Sequence, residues 1–268
     1  LHTKWIIKAV KENKNVLCEK PITISVKEIN KIKKIVLKND VTVQEATMMR
    51  FHPQTAYIRE LLDKNNIGKT KYISAIFSIN MQNLNDIRFK YKNGGGSLWD
   101  LGSYCISFAR YVLQKEPCKV FAKKIHTLGD EKVDASLAGY LVFEEGIEMH
   151  FFSSFRSFPF EEINIIGDKG NLKITQPYCN HEEVGFVNLT KEKKNSNKST
   201  FGDELKKIQY SKKFDQNAYF NEINLFSKNI LDKEKETVSL EDSKKNIIAI
   251  TALLKSAKLG KLINIKIN

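Results

Sequence analysis

A chain of 268 residues that is 41% hydrophobic and 10% aromatic can bury a real core, enough for one large or two modest domains. No stretch approaches the roughly 18 uncharged apolar residues of a membrane span, and the opening Leu1-His2-Thr3-Lys4-Trp5 lacks the apolar core of a signal peptide. The net charge of +13 raises nucleic acid as a partner, but the lysines are scattered and only Arg50, Arg59, Arg88, Arg110 and Arg156 offer forked donors, so neither nucleic acid nor a membrane is expected to be a partner.

Residues 3–14 place Trp5, Ile6, Ala9 and Val10 at helical spacing, and Asn15-Val16-Leu17-Cys18 reads as a short buried strand running into Glu19-Lys20-Pro21. A second helix is predicted from Ser25, as N-cap with Glu28 three residues on, to Leu37, followed by a strand at Val41-Thr42-Val43. This alternation implies a parallel sheet up to about residue 47. A helix over 54–65 follows Pro53, and the pattern then changes: 71–80, 118–126, 135–143, 147–156, 160–166 and 170–175 read as strands of a mainly antiparallel sheet. Helices are expected over 98–113, 216–231 and 241–259, the last with Gly260 as C-cap, and the polar run 191–200 reads as a solvated loop.

The expected architecture is α/β plus α+β, with residues 1–47 a remnant of a dinucleotide-binding domain and 48–268 a sheet-rich domain. No G-x-G-x-x-G stands at a strand-to-helix turn, and two strands with two helices are too few for a doubly wound domain. The expectation is a truncated start, with at least one further βαβ unit of about 30 residues upstream. Cys18, Cys105, Cys118 and Cys179 form no C-x-x-C pair, so reduced thiols in a cytoplasm are expected, with neither a zinc site nor a disulfide framework.

Two constellations carry chemistry. Glu19-Lys20-Pro21 puts a lysine at the C-terminal end of a buried strand, where open α/β sheets place ligands. A lysine in a partly desolvated crevice is suited to proton transfer, although the tripeptide alone reads more readily as a surface lysine beside a helix-entry proline. In Gly94-Gly95-Gly96-Ser97-Leu98-Trp99-Asp100-Leu101-Gly102-Ser103-Tyr104, the spacing i, i+4 puts Asp100 and Tyr104 on one helix face. A carboxylate and a phenol there can hold a hydroxyl substrate and pass a proton, or else be a first-turn acid and a core aromatic.

Together with Leu1-His2-x-x-Trp5, the run Asn15 onward to Pro21, Arg50-Phe51-His52-Pro53, Ile87-Arg88 and the closing Ser239-Leu240-Glu241-Asp242, these motifs resemble the Gfo/Idh/MocA family in order and spacing across essentially the whole chain. The resemblance implies a Rossmann domain, an open-faced sheet domain that often makes the oligomer contact, and hydride transfer between NAD or NADP and a hydroxyl-bearing carbon of a sugar, polyol or cyclic diol. It assigns Lys20, Asp100 and Tyr104 as catalytic, Lys20 and Tyr104 handling the proton and Asp100 orienting the substrate. It places His2, Glu19, Lys20 and Arg88 on the cofactor side. Arg88 is otherwise a structural ion pair, and Arg50 and His52 shape the domain junction.

Tyr104, where many members have His, is similar to the branch with glucose-fructose oxidoreductase, dimeric dihydrodiol dehydrogenases and certain xylose dehydrogenases. No metal is required, because the cofactor carries the electron chemistry. The alternatives are an inositol or nucleotide-sugar dehydrogenase of the same family, and an inactive truncated domain acting in assembly or binding. A homodimer or higher homo-oligomer is expected through a sheet face bearing apolar residues of 135–143 and 147–156, and Lys20, Tyr104 and Asp100 are expected to meet at one cleft.

Overall fold

Helix α1 (His2–Lys11) buries Ile6 and Val10 against Ile29 and Ile32 of α2 (Val26–Val36), the apolar stripe that its spacing requires. The computed structural model in which these contacts lie describes residues 1–128, 133–178, 184–192, 207–234 and 237–266. Strands β1 (Val16–Glu19) and β2 (Val43–Ala46) pair in parallel as a two-stranded sheet. Ser25 does stand at the N-cap of α2 with extended backbone, but its side chain makes no capping bond. The Glu28 carboxylate instead accepts the Thr23 hydroxyl at 2.5 Å, and the Thr23 oxygen takes the Ser25 N–H at 3.3 Å, so the capping box is replaced by a bond one turn earlier.

A short 3₁₀ turn, Met48–Phe51, leads to α3 (Pro53–Asp63), where Pro53 needs no amide hydrogen and the His52 ring accepts the Gln54 N–H. The second sheet has nine strands: β3 (Thr70–Asn80), β4 (Pro117–Leu128), β5 (Val133–Phe143), β6 (Glu148–Ser154), β7 (Arg156–Gly167), β8 (Gly170–Thr175), β9 (Gly185–Glu192), β10 (Lys207–Phe214) and β11 (Ile263–Asn264). Their order is β10-β9-β8-β7-β3-β6-β5-β4-β11, and only the β3–β6 pair is parallel. Strands β9, β10 and β11 were not expected from the sequence. The expected loop over 191–200 begins inside β9, and its residues from 193, like Cys179, lie outside the described residues.

Register explains the two faces. Val120, Leu141, Met149, Ile73, Ile165 and Leu172 stand side by side across six strands, and all are fully buried. Helices α3, α4 (Ser103–Leu113) and α6 (Leu240–Leu259) pack against the sheet, while α5 (Ala218–Leu231) packs on the 3₁₀ turn. The opposite rows carry Phe121, Tyr140 and His150, then Ala138, Phe152, Ile76 and Glu162, and these stay partly exposed, with His150 exposed. Apolar residues of β5 and β6 thus lie on an open face, interrupted by polar ones.

The helix expected over 98–113 is in two parts. Residues Leu98–Gly102 form a π turn, and only from Ser103 is the winding α-helical. Close packing accompanies the change: a Cβ on Gly102 would lie 2.8 Å from Leu98 and 3.1 Å from the Phe151 ring of β6. The C-terminal helix ends as its sequence requires, with Gly260 at φ +65°.

Candidate active site

Lys20 leaves the end of β1 through a cis peptide to Pro21. Its Nζ donates to the Asp100 carboxylate Oδ1 at 2.6 Å and to the Asp100 backbone oxygen at 2.8 Å, and lies 4.6 Å from the centre of the Tyr104 ring. The other carboxylate oxygen of Asp100 accepts Nε of Arg88 at 2.8 Å, and Arg88 Nη1 is 3.3 Å from both carboxylate oxygens of Asp86. Two cations and two carboxylates therefore alternate along one line, Lys20, Asp100, Arg88, Asp86. Charge is balanced within it, and two of the three ammonium donors of Lys20 are fixed by Asp100.

This line borders a cavity of about 400 Å³, whose lining includes His2, Lys20, Thr23, Arg88, Trp99 and Asp100. The volume suits a small polar ligand together with part of a larger one. His2 Nδ1 lies 2.9 Å from the Pro21 carbonyl oxygen, which can only accept, so Nδ1 carries the proton of that bond. Glu19 does not line the cavity: its carboxylate is exposed and accepts the Lys20 backbone N–H at 3.1 Å. The strand alternation that turns Cys18 into the core turns Glu19 to the surface.

Tyr104 meets Lys20 by its ring and not by its hydroxyl. Its side chain is buried, its hydroxyl donates to Met48 Sδ at 3.5 Å, and what meets Lys20 is the ring face. Asp100 lines the larger cavity and Tyr104 a separate one of about 20 Å³, while Lys20 lines both. The i, i+4 argument assumed regular α-helix, and the π turn over 98–102 changes the angular step between the two positions. Arg50 and His52 lie away from the larger cavity: Arg50 Nη1 donates to Ser107 Oγ at 3.2 Å and pairs with Asp242, and His52 Nε2 donates to the Gln216 carbonyl at 2.8 Å.

Three buried acids, Asp134, Glu45 and Glu222, were not expected from the sequence, and the first two lie beside the Lys20–Asp100 elements. Asp134 of β5 accepts the Leu98 N–H at 2.7 Å and the Ser97 hydroxyl at 3.0 Å, tying the glycine-rich loop to the sheet; burial raises its pKa even so. Gly96, at φ +119°, fits beside it, since a Cβ there would be 2.3 Å from Asp134 Oδ1. Glu45 of β2 accepts the Ile22 N–H at 2.8 Å and the Ser243 hydroxyl at 2.7 Å, and burial raises its pKa too. The available signal was an acid flanked by apolar residues in a short strand, Val133-Asp134-Ala135 and, with a second polar residue, Val43-Gln44-Glu45-Ala46.

Residues 1–47 match the model of the oxidoreductase family with NAD-binding Rossmann fold, and residues 55–173 match the GFO/IDH/MocA C-terminal domain. The chain is 29% identical to D-xylose 1-dehydrogenase (NADP(+)) 2 of Haloferax volcanii over 262 residues, 97% of this chain and 76% of that protein. It is 30% identical to trans-1,2-dihydrobenzene-1,2-diol dehydrogenase of Xenopus tropicalis over 176 residues, 65% of this chain and 52% of that one. Apart from the xylose dehydrogenase, these curated relatives are matched over 30% to 54% of their own length. In fold, the crystal structure of aldose-aldose oxidoreductase from Caulobacter crescentus superposes with a TM-score of 0.87 at 19% identity, covering 99% of this chain and 76% of that one.

Proposed function

The chain belongs to the Gfo/Idh/MocA oxidoreductase family, and we propose that it transfers a hydride between NAD or NADP and a hydroxyl-bearing carbon of a sugar, polyol or cyclic diol. The relatives named for xylose and for a cyclic dihydrodiol support that substrate class. The residues present suit the reactive end of a dinucleotide: the larger cavity opens where β1 ends, and its lining joins the half-buried His2 and the buried Thr23 to Lys20. When bound, the nicotinamide cofactor supplies or accepts the hydride.

The single observation carrying the reading is the Lys20–Asp100 pair on the wall of that cavity. In the direction of reduction, the Lys20 ammonium donates its proton to the substrate oxygen; in oxidation, its amine takes the hydroxyl proton. Asp100 fixes Lys20 through two bonds and orients the substrate by accepting from a neighbouring hydroxyl. Arg88 holds the second Asp100 oxygen and so sets the plane of the carboxylate. Tyr104 supports the ammonium by its ring face, and its hydroxyl joins the proton chemistry only by leaving Met48.

In this reading, residues 1–47 serve the cofactor and 48–268 the substrate and the subunit contact. A homodimer through the open sheet face and a cytoplasmic location complete it; among the described residues no helix is long and apolar enough to cross a membrane. The test is to titrate NADH and NADPH fluorescence with the purified protein, then assay it and Lys20→Ala with aldoses, polyols and cyclic diols. Turnover should fall about 10²–10⁴-fold in the variant with cofactor affinity little changed. A Lys20→Ala protein as active as the parent removes the assignment.

A further inference from the structure

Lys20 lines two cavities, and the smaller one holds a buried acid that the proposed reaction leaves unused. That cavity, of about 20 Å³, is lined by Lys20, Glu45, Thr47, Ser103, Tyr104 and Ser243 among others. It has room for one water molecule, and its hydroxyls and charged groups exceed the two to four polar partners that a buried water needs. Glu45 is 7% exposed, and among the described residues no basic nitrogen lies within the 4.0 Å of an ion pair with it. Its oxygens are held instead by the Ile22 N–H and the Ser243 hydroxyl.

The titratable and charged groups that face Glu45 are Cys18 across the strand pair on β1, whose thiol burial keeps protonated, Lys20 from the loop after β1, Arg50 from the 3₁₀ turn and Asp242 from α6. Burial is the largest influence and raises the Glu45 pKa, with Asp242 adding to it; the Ile22 and Ser243 bonds and the Lys20 charge oppose it.

We propose that Glu45 exchanges a proton with Lys20 through one water in the second cavity, and thereby stores the proton of the reaction while ligands fill the larger cavity. The proposal rests on the reading of Lys20 as the proton-handling group. In oxidation, the substrate O–H bond breaks and an N–H bond forms on Lys20. An N–H bond of the resulting ammonium then breaks, the water passes a proton on, and an O–H bond forms on Glu45. The amine of Lys20 and the neutral acid of Glu45 result, with no charge created or lost. When the product leaves, the proton returns by the same path to Lys20, which the larger cavity connects to solvent. Reduction runs the sequence backwards. A chain of oxygen and nitrogen atoms behind the lysine gives its proton somewhere to go while ligands cover the other side.

Glu45→Gln is the informative variant, because its amide oxygen can still accept the Ile22 N–H and its amide nitrogen can donate to the Ser243 oxygen, while it cannot take up a proton. Infrared difference spectra of the purified protein against pH, without substrate, should show a buried carboxylic-acid carbonyl band that Glu45→Gln removes. Glu45→Asp identifies the band by its shift if the amide variant does not fold. In Lys20→Met the midpoint of that band should move up by about one pH unit, because a facing cation is gone. A midpoint that stays in place overturns the proposal whatever the activity.

In turnover, Glu45→Gln should lower kcat about tenfold or more, leave KM nearly unchanged and enlarge the solvent deuterium effect. A Glu45→Gln enzyme with the parent's kcat and pH profile, beside an impaired Lys20→Met, also overturns it. If Lys20→Met itself turns over normally, the proposed function fails, and the infrared midpoint still decides whether the two groups share a proton.

Discussion

Asp134 on β5 accepts the backbone N–H of Leu98 at 2.7 Å, so a strand of the large sheet caps the helical element that carries Asp100. The same carboxylate takes the Ser97 hydroxyl, and Ser97 also reaches the Ser153 hydroxyl of β6 at 3.0 Å. The position of the Lys20 partner is thus set by the sheet as well as by its own loop.

Asp134→Ala should therefore cost about 1–3 kcal/mol, because it strands the buried Leu98 N–H, while the Ser97 hydroxyl can still turn to Ser153. Asp134→Asn keeps one acceptor for the Leu98 N–H and should cost less. Urea unfolding of both variants is the check; an alanine variant within 0.5 kcal/mol of the parent, on the order of surface substitutions, would show that the cap does not matter.

Asp100→Asn should leave Lys20 and Arg88 facing each other with no charge between them, 2.6 Å and 2.8 Å being their present distances to the carboxylate. Turnover in the proposed reaction is expected to fall about 10²–10³-fold, with thermal stability changed little because Arg88 is largely exposed. Steady-state kinetics beside a melting curve separates the two. Equal loss of stability and activity would mark Asp100 as structural.

Much of this was legible because it depends on local pattern. Apolar spacing places α1, α2 and most of the sheet strands, and the motif around Lys20 and the one around Asp100 come together although 80 residues separate them. What was not legible depends on tertiary contact. The π turn at Leu98–Gly102 coincides with the close fit of Gly102 on Phe151, which no helical periodicity encodes. Across that turn Asp100 and Tyr104 line different cavities. Strand β10 presents Lys207, Gln209, Ser211 and Lys213 outward, so its polarity conceals a strand that owes its pairing to β9. Glu45 and Asp134 are ordinary acids in sequence and acquire their roles only from Ile22, Ser243, Ser97 and Leu98.

The open sheet face makes a prediction about assembly. Phe121, Tyr140, Phe152 and Ile76 stand on neighbouring strands with Phe160 and Ile166 further along, both more than 40% exposed. A contact there should exceed the roughly 800 Å² per partner of a stable pair. Sedimentation should find a dimer that Phe152→Asp converts to monomers without unfolding, since a charge at the centre of such a face has no partner. A parent that sediments as a monomer at micromolar concentration would remove the contact.

The last prediction concerns Glu222, which α5 buries against the turn after β2. Its side chain is only 3% exposed, one carboxylate oxygen has no partner among the described residues, and the carboxylate accepts the Thr47 N–H. Burial first, and the nearby Glu19 charge second, push its pKa up to about 7, against the weaker opposing effect of the Thr47 bond. Because the folded value lies above the unfolded one, the folded chain holds the proton more tightly. The stabilisation is complete below the ordinary pKa of 4.5 and is lost as pH rises through about 7. Glu222→Gln mimics the protonated form and keeps the Thr47 bond, so it should match the parent at pH 5 and be more stable at pH 8, by about 1–2 kcal/mol once solvent screening is allowed for. Glu19→Gln should narrow that gap by lowering the Glu222 pKa. Urea unfolding at the two pH values decides: a Glu222→Gln advantage of equal size at pH 5 and pH 8 would show that the acid does not titrate between them.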